Sequence, residues 1–404
     1  MKQKAKILQK ISMGTAAGFL ISLILSLPAQ SQQRPLVVLQ ESELNNQSFY
    51  DAWVEFKAKG VRTLEDGLDT EAQRPKKSLF VQWEIQESRT QASIRGISAV
   101  DNKTCWISGS LGTVARTIDG GKTWIASRIP GNEELDFRDI EAFDENTALV
   151  LSAGRPAMIF KTLDGGATWK EKYSNQNEGI FFNAMAFWNK DMGIAVSDQI
   201  DGHFFLIRTF DAGENWEEIP IENCPIALKN EAGFAASGTC LTVQGEGHVW
   251  FGTGGAAARI HHSYDWGKTW MVRKTPLLSG LPSQGIFSIA FKDIDNGIIV
   301  GGDYRDPENR NLCSAKTGDG GKTWTTISEN SVRGYRSCVM FVPGTPSTYI
   351  AIGRGGSDIT IDDGNNWNPL NNDGYFCLSI EKTGKVGWAA GADGRIAKLI
   401  LLIQ

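Results

Sequence analysis

Thr117-Ile-Asp-Gly-Gly-Lys-Thr-Trp124 is the first of six octads in this chain; the others run Thr162 to Trp169, Thr209 to Trp216, Ser263 to Trp270, Thr317 to Trp324 and Thr360 to Trp367. Each reads Ser/Thr-x-Asp-x-Gly-x-x-Trp, and each residue type suits a tight corner between two strands. Asp119 caps backbone N–H groups of its own turn, Gly121 permits positive φ, and Thr123 and Trp124 begin the next strand. By position, Asp164, Asp211, Asp265, Asp319 and Asp362 inherit the same structural role. The indole is expected to pack between neighbouring units with its N–H satisfied at the rim. Successive tryptophans lie 45, 47, 54, 54 and 43 residues apart, a period that suits one four-stranded propeller blade.

Strand-like runs keep step with the octads. Ile97 to Val100, Trp106 to Gly109 and Val114 to Thr117 precede the first, and Ile140 to Phe143 with Ala148 to Ser152 repeat the order, as do Ala184 to Phe187 with Gly193 to Ser197. After the last octad come Phe376 to Ile380, Gly387 to Gly391 and Arg395 to Leu402, with no seventh octad. Upstream, Val81-Gln-Trp-Glu-Ile-Gln86 resembles the strand that follows an octad, with Trp83 in place of its Trp. The expectation is an all-β, seven-bladed β-propeller over residues 80–404, its last blade completed by the N-terminal strand; a six-bladed ring is the alternative. Closure of this kind removes free sheet edges.

Lysines 2, 4, 6 and 10 flank an apolar stretch from Ile11 to Leu27, followed by the small residues Ala29 and Ser31. This reads as a secretory signal peptide over 1–31, with a retained membrane anchor as the competing reading. No later stretch reaches transmembrane length. Removing the signal takes four of the 41 basic residues and none of the 46 acidic ones, leaving a net charge of −9. Such an acidic domain is a poor nucleic-acid binder. Residues 32–79 form a polar N-terminal extension in which Phe49, Trp53 and Phe56 predict one short amphipathic helix ending at Gly60. That helix would dock on the propeller side or serve as a partner-binding arm. Six cysteines are spread thinly; Cys224 and Cys240 share one long connection and are the candidate disulfide, while the others read as buried thiols.

Catalytic motifs are scarce. His261 and His262 are adjacent and point to opposite faces of a strand, so they form no two-ligand site by themselves. Gly252-Thr-Gly-Gly-Ala256 reads as a tight loop rather than a phosphate cradle. No metal or cofactor is expected. In a propeller the octad turns lie on one face, and the loops joining second to third strands and blade to blade gather at the channel mouth on the other. Those loops carry Arg95, Arg138, Arg155, Asp198, Asp201, Asp303, Tyr304, Arg305, Arg336, Arg354, Asp358 and Arg395. Arg95, Arg138 and Arg336 stand at equivalent positions, five before Val100, Phe143 and Phe341. Either each is paired with a neighbouring acid, or together they form a positive pocket suited to carboxylate, phosphate or sulfate.

The octads are similar to the Asp-box, or bacterial neuraminidase, repeat. With short blades, the string of Thr-x-Asp-Gly-Gly-x-Thr-Trp units resembles the photosystem II stability/assembly factor family and its non-photosynthetic bacterial relatives. The resemblance implies a non-enzymatic, monomeric, periplasmic or lumenal scaffold that holds a protein client, such as a membrane-protein complex, through an arginine-bearing surface. Members of that family often carry a lipid anchor, and in this chain no Cys directly follows the apolar run. Asp-box propellers also include sialidases and other glycoside hydrolases, and Arg128-Ile-Pro130 matches their Arg-Ile-Pro tripeptide, although here it follows a box instead of preceding the first. For such an enzyme Tyr304 with Asp303 is the nearest nucleophile pair. A sugar- or anion-binding module without turnover would share the pocket.

Overall fold

The computed structural model describes residues 79–327 and 330–403. The expected signal segment and the extension with its expected short helix lie outside them. Seven antiparallel sheets follow one another along the chain and form a seven-bladed propeller. Blade 1 runs from Ile94–Ala99 to Ile125–Arg128, blade 2 from Asp136–Ala142 to Lys170–Asn175 and blade 3 from Phe182–Phe187 to Glu217–Glu218. Blade 4 spans Leu241–Gln244 to Met271–Lys274, blade 5 Gln284–Phe291 to Thr325–Thr326 and blade 6 Cys338–Phe341 to Asn368–Asn371. Blade 7 takes Cys377–Ile380, Val386–Ala390 and Arg395–Ile403 from the C-terminal end and Leu79–Glu87 from the N-terminal side. That closing pair keeps unbroken register from Leu79 opposite Ile403 to Glu87 opposite Arg395.

The core lies in the seams between blades. Trp106 and Val114 of blade 1 bury against Phe137, Ile140 and Phe160 of blade 2, and Ile94, Ile107 and Trp124 meet Cys377, Trp388 and Ile396 across the closing seam. Near the axis, polar side chains stitch one innermost strand to the next. The Ala99 N–H donates to Ser379 Oγ (3.0 Å), Ala142 N–H to Ser98 Oγ (3.1 Å), Met185 N–H to Asp139 Oδ2 (2.7 Å) and Val339 N–H to Ser288 Oγ (2.8 Å). Inner-strand N–H groups thereby find acceptors in the adjacent blade, as buried backbone donors require.

All six octads adopt one geometry. In the first, the Thr117 hydroxyl accepts from Gly121 N–H (2.8 Å) and donates to Asp119 Oδ1 (2.9 Å), while Asp119 accepts from Thr123 N–H (2.9 Å) and Thr123 Oγ1 (2.6 Å). Asn215 and Asn366 replace that threonine in two octads and supply the same pair of donors. Gly121 has φ +86°, and a Cβ there would strike the Gln86 amide at 1.9 Å, so glycine is required twice over. Each octad turn is tied to the turn between the first and second strands of its blade, as in Gly120 N–H to Lys103 O and Gly165 N–H to Asn146 O (both 2.9 Å). These turns define the octad face.

Two expectations need correction. The octad indole N–H is satisfied in three of the six: Trp124 bonds Gln86 Oε1 (3.1 Å), and Trp270 and Trp324 bond carbonyls of their own turns, whereas Trp169, Trp216 and Trp367 reach no acceptor among the described residues. Other cross-seam indole bonds come from the second-strand tryptophans Trp106, to Asp144 O (3.1 Å), and Trp250, to Gly320 O (2.9 Å), and from Trp188 to His248 O (2.7 Å). Cys224 and Cys240 are free thiols buried in one apolar cluster with Val249 and Phe251. Sharing a connection brought them into the same core without making them partners.

Candidate functional site: the channel mouth

The two 54-residue octad spacings mark blades with added chain, and the added chain builds the mouth. Between blades 3 and 4, residues 219–240 leave the repeat pattern, and Glu231–Ala232 pairs with Gly254–Gly255 in the loop after the second strand of blade 4. Glu231 anchors this segment. Its carboxylate accepts from Thr253 Oγ1 (2.5 Å), Arg259 Nε (2.7 Å) and Leu228 N–H (2.8 Å), with His261 Nε2 at 3.4 Å. Burial opposes its charge, but these donors hold its pKa down at about 2.

From that anchor the chain crosses the axis. Gly233 N–H donates to Asp198 of blade 3 (2.8 Å), Ala235 O accepts from Arg138 of blade 2 (3.2 Å), and Ser237 Oγ donates to Ser337 O, which leads into blade 6 (2.7 Å). Phe234 stacks on Phe287 of blade 5 with centroids 3.8 Å apart, and Tyr335 stands edge-on to the same Phe287 at 4.8 Å. The channel is therefore plugged just below its mouth by a segment bonded to blades 2, 3, 5 and 6.

Above the plug, the sequence-predicted arginines separate into three kinds. Arg336 is fully buried, with Nη2 2.6 Å and Nε 2.7 Å from Asp358 Oδ2; Arg333, which sequence reasoning missed, clasps the other oxygen at 2.7 Å. Arg336 is thus removed from the mouth, and a pocket of Arg95, Arg138 and Arg336 does not form. Arg138 is half-neutralised: it pairs with Asp136 (2.8 Å), donates to the plug and lies over Phe181 at 5.7 Å. Among the described residues neither Arg95 nor Arg354 has a carboxylate at ion-pair distance, although Asp136 attracts Arg95 from further off; both stand over the ring of Phe376, at 4.7 and 5.5 Å. Burial first, then the neighbouring Arg138 and Arg354 guanidiniums, lower the pKa of Arg95. A cationic arc with an aromatic floor thus runs across blades 6, 7, 1 and 2, and an anionic group there would relieve like-charge repulsion.

The remaining predicted residues lie apart from that arc or are already satisfied. Arg155 is exposed and faces Glu178 at 3.4 Å. Arg395 is exposed and bonds Gly374 O (3.3 Å), Asp201 is exposed, and Arg305 lies over the Tyr304 ring at 6.0 Å. Asp303 is buried, but N–H donation from Arg305 (2.9 Å) and Gln284 (3.0 Å) outweighs burial and keeps its pKa low. Tyr304 packs on Phe287 at 6.2 Å. Carboxyls pushed upward lie in the channel wall instead. Burial raises Asp139 to about 7 and Asp198 to about 6, and burial together with Asp139 raises Glu141 to about 8. Asp139 is committed to the Met185 and Ile140 N–H groups and lies against Gly238 of the plug; Asp198 holds Asn183 (2.9 Å) and Gly233.

Fold and mouth together define the protein's class: a seven-bladed β-propeller with a plugged channel and an arginine–aromatic mouth. Within that class it resembles the photosystem II assembly factors. The family model described as photosynthesis system II assembly factor YCF48 matches residues 75–172, which hold the closing strand and most of blades 1 and 2. Among solved structures, YCF48 bound to D1 peptide is similar with a TM-score of 0.57 at 16% identity, over 83% of this chain and 99% of that one. YCF48 from Cyanidioschyzon merolae has the same score and identity, over 78% and 98%. The GH74 xyloglucanase from Xanthomonas campestris is similar at 0.54 and 15% identity, over 78% of this chain and 53% of its own. No curated protein matches the sequence.

Proposed function

We infer that this protein is an exported, non-enzymatic propeller scaffold that holds a segment of a protein client at its channel mouth, in the manner of the photosystem II assembly factors. The observation that carries the reading is Arg95 and Arg354, both over Phe376 beside a plugged channel and without an ion-pair partner among the described residues. Guanidiniums without a carboxylate suit an acidic side chain or chain terminus, and the aromatic floor suits the apolar part of a peptide. That a similar propeller is described as bound to D1 peptide favours a peptide ligand.

The test is binding of a fluorescent acidic peptide, with capture of clients from gently solubilised envelopes beside it. Arg95→Ala and Arg354→Ala should each weaken the peptide about tenfold or more, since a hydrogen bond to a charged group contributes about 1.5–3 kcal/mol. Arg336→Ala belongs outside this set because it strips a buried ion pair. Equal affinity for acidic and basic peptides, insensitive to both arginines, would refute the proposal. The runner-up is a glycoside hydrolase, favoured by the GH74 similarity. It requires two carboxyl groups, or a Tyr with its base, across an open pocket. Asp139 is tied to the Met185 and Ile140 N–H groups of the channel wall and Asp198 to the Gly233 N–H of the plug, which supports the scaffold reading over the enzyme. Release of reducing sugar from a polysaccharide panel would reverse that order.

A further inference from the structure

The second octad position carries a large apolar side chain in five of six repeats, and all five are exposed: Ile118, Leu163, Phe210, Tyr264 and Ile361. The fifth octad, Thr317–Trp324, has Gly318 there, and on that blade the exposed apolar residue is Ile294, in the adjoining turn whose Asp295 O accepts from Gly320 N–H (2.8 Å). Blade 7 has no octad, yet Leu402 is exposed beside Leu401, whose N–H bonds Lys385 O in the corresponding turn (2.7 Å). Every blade therefore presents a large apolar side chain on the octad face; the rotational repeat of a propeller puts the five at the equivalent octad position at one level, with Ile294 and Leu402 beside them on the same face. Scattered exposed hydrophobes need no explanation, but one per blade on the same face does.

We propose that the octad face rests on the surface of a lipid bilayer, with these side chains at the headgroup–acyl boundary. Single anchors spaced by a blade match a plane better than they match a pocket on a protein. Around them stand exposed groups of both signs, such as Lys103, Lys122 and Lys268 with Glu145, Asp191 and Asp295, as a zwitterionic headgroup layer accommodates. The chain's own path agrees. The closing strand starts at this face, Leu79 opposite Ile403, so the sequence upstream joins here. That sequence carries Arg74, Lys76 and Lys77 just before the strand. Apolar side chains inserted to the interface bind in proportion to the area they bury.

The test uses the full chain. All six native thiols are buried, so an environment-sensitive fluorophore can be directed to Leu163→Cys on the octad face or to Leu281→Cys, on a blade-to-blade loop of the opposite face. With phosphatidylcholine vesicles, the probe at position 163 should shift to the blue and the probe at 281 should not. Adding Ile118→Ser, Phe210→Ser, Tyr264→Ser and Ile361→Ser should weaken the response at position 163 about tenfold or more. These sites are exposed, so the thermal midpoint should hold and separate lost docking from lost folding. No shift at 163, equal shifts at both positions, or an unaltered response in the serine background would overturn the proposal.

Discussion

At the scale of single residues, the octad aspartates are turn locks. Asp164 accepts from Thr168 N–H (2.8 Å), Thr168 Oγ1 (2.6 Å) and Thr162 Oγ1 (2.9 Å), and these bonds to its ionised form lower its pKa to about 2, as they do for Asp119. This chemistry is local, running from i to i+4, which is why the sequence pattern alone disclosed it. The arginines were less legible for the opposite reason. Arg336 occupies the same sequence slot as Arg95 and Arg138, but Asp358, 22 residues on, folds beneath it, and no periodicity announces that pairing. Asp164→Ala should lower the thermal midpoint by about 2–4 °C while peptide affinity at the mouth stays unchanged, because the octads occupy the other face. Parallel melting and anisotropy measurements check both halves; a large affinity loss with an unchanged melt would mean that the aspartate belongs to a binding site.

At the scale of elements, the closing strand does more than complete a sheet. Gln86 joins blade 7 to blade 1: its Oε1 accepts from both Trp124 (3.1 Å) and Trp388 (3.2 Å), and its Nε2 donates to Gly120 O (3.1 Å). Gln86→Leu would leave two indole N–H groups and a carbonyl without partners at the seam between blade 7 and blade 1, next to the strand pair that closes the ring. The expected loss is about 2 kcal/mol or more, read from the urea midpoint; Trp83→Phe, whose indole N–H has no protein acceptor, should cost less. The closing strand was legible because Trp83 repeats the octad tryptophan in strand context. The plug was not, since residues 219–240 carry no repeat and their partners come from four blades. Only the lengthened spacings signalled extra chain. Phe376, the floor of the cationic arc, read simply as the start of a strand.

Across the whole molecule, two opposed sets of carboxyls set the dependence of stability on pH. The octad aspartates and Glu231 have folded pKa values below their unfolded ones. Their contribution is complete above about pH 4 and disappears as pH falls toward about 2, because the unfolded chain then binds more protons. Asp139, Asp198 and Glu141 are displaced the other way, to about 7, 6 and 8. They favour the fold while protonated in both states, and that contribution declines as pH rises from about 4, where the unfolded carboxyls ionise, to about 8, where the folded ones follow. Stability should therefore peak near pH 4 to 5, below neutrality, and fall on both sides. Asp139→Asn isolates one contributor: the amide keeps an acceptor for the Met185 N–H and cannot ionise, so its urea midpoint should fall less than the wild type's between pH 5 and 8. Wild-type and variant profiles that run parallel across that interval would mean that Asp139 is already ionised in the fold, with its two backbone donors outweighing the cost of burial.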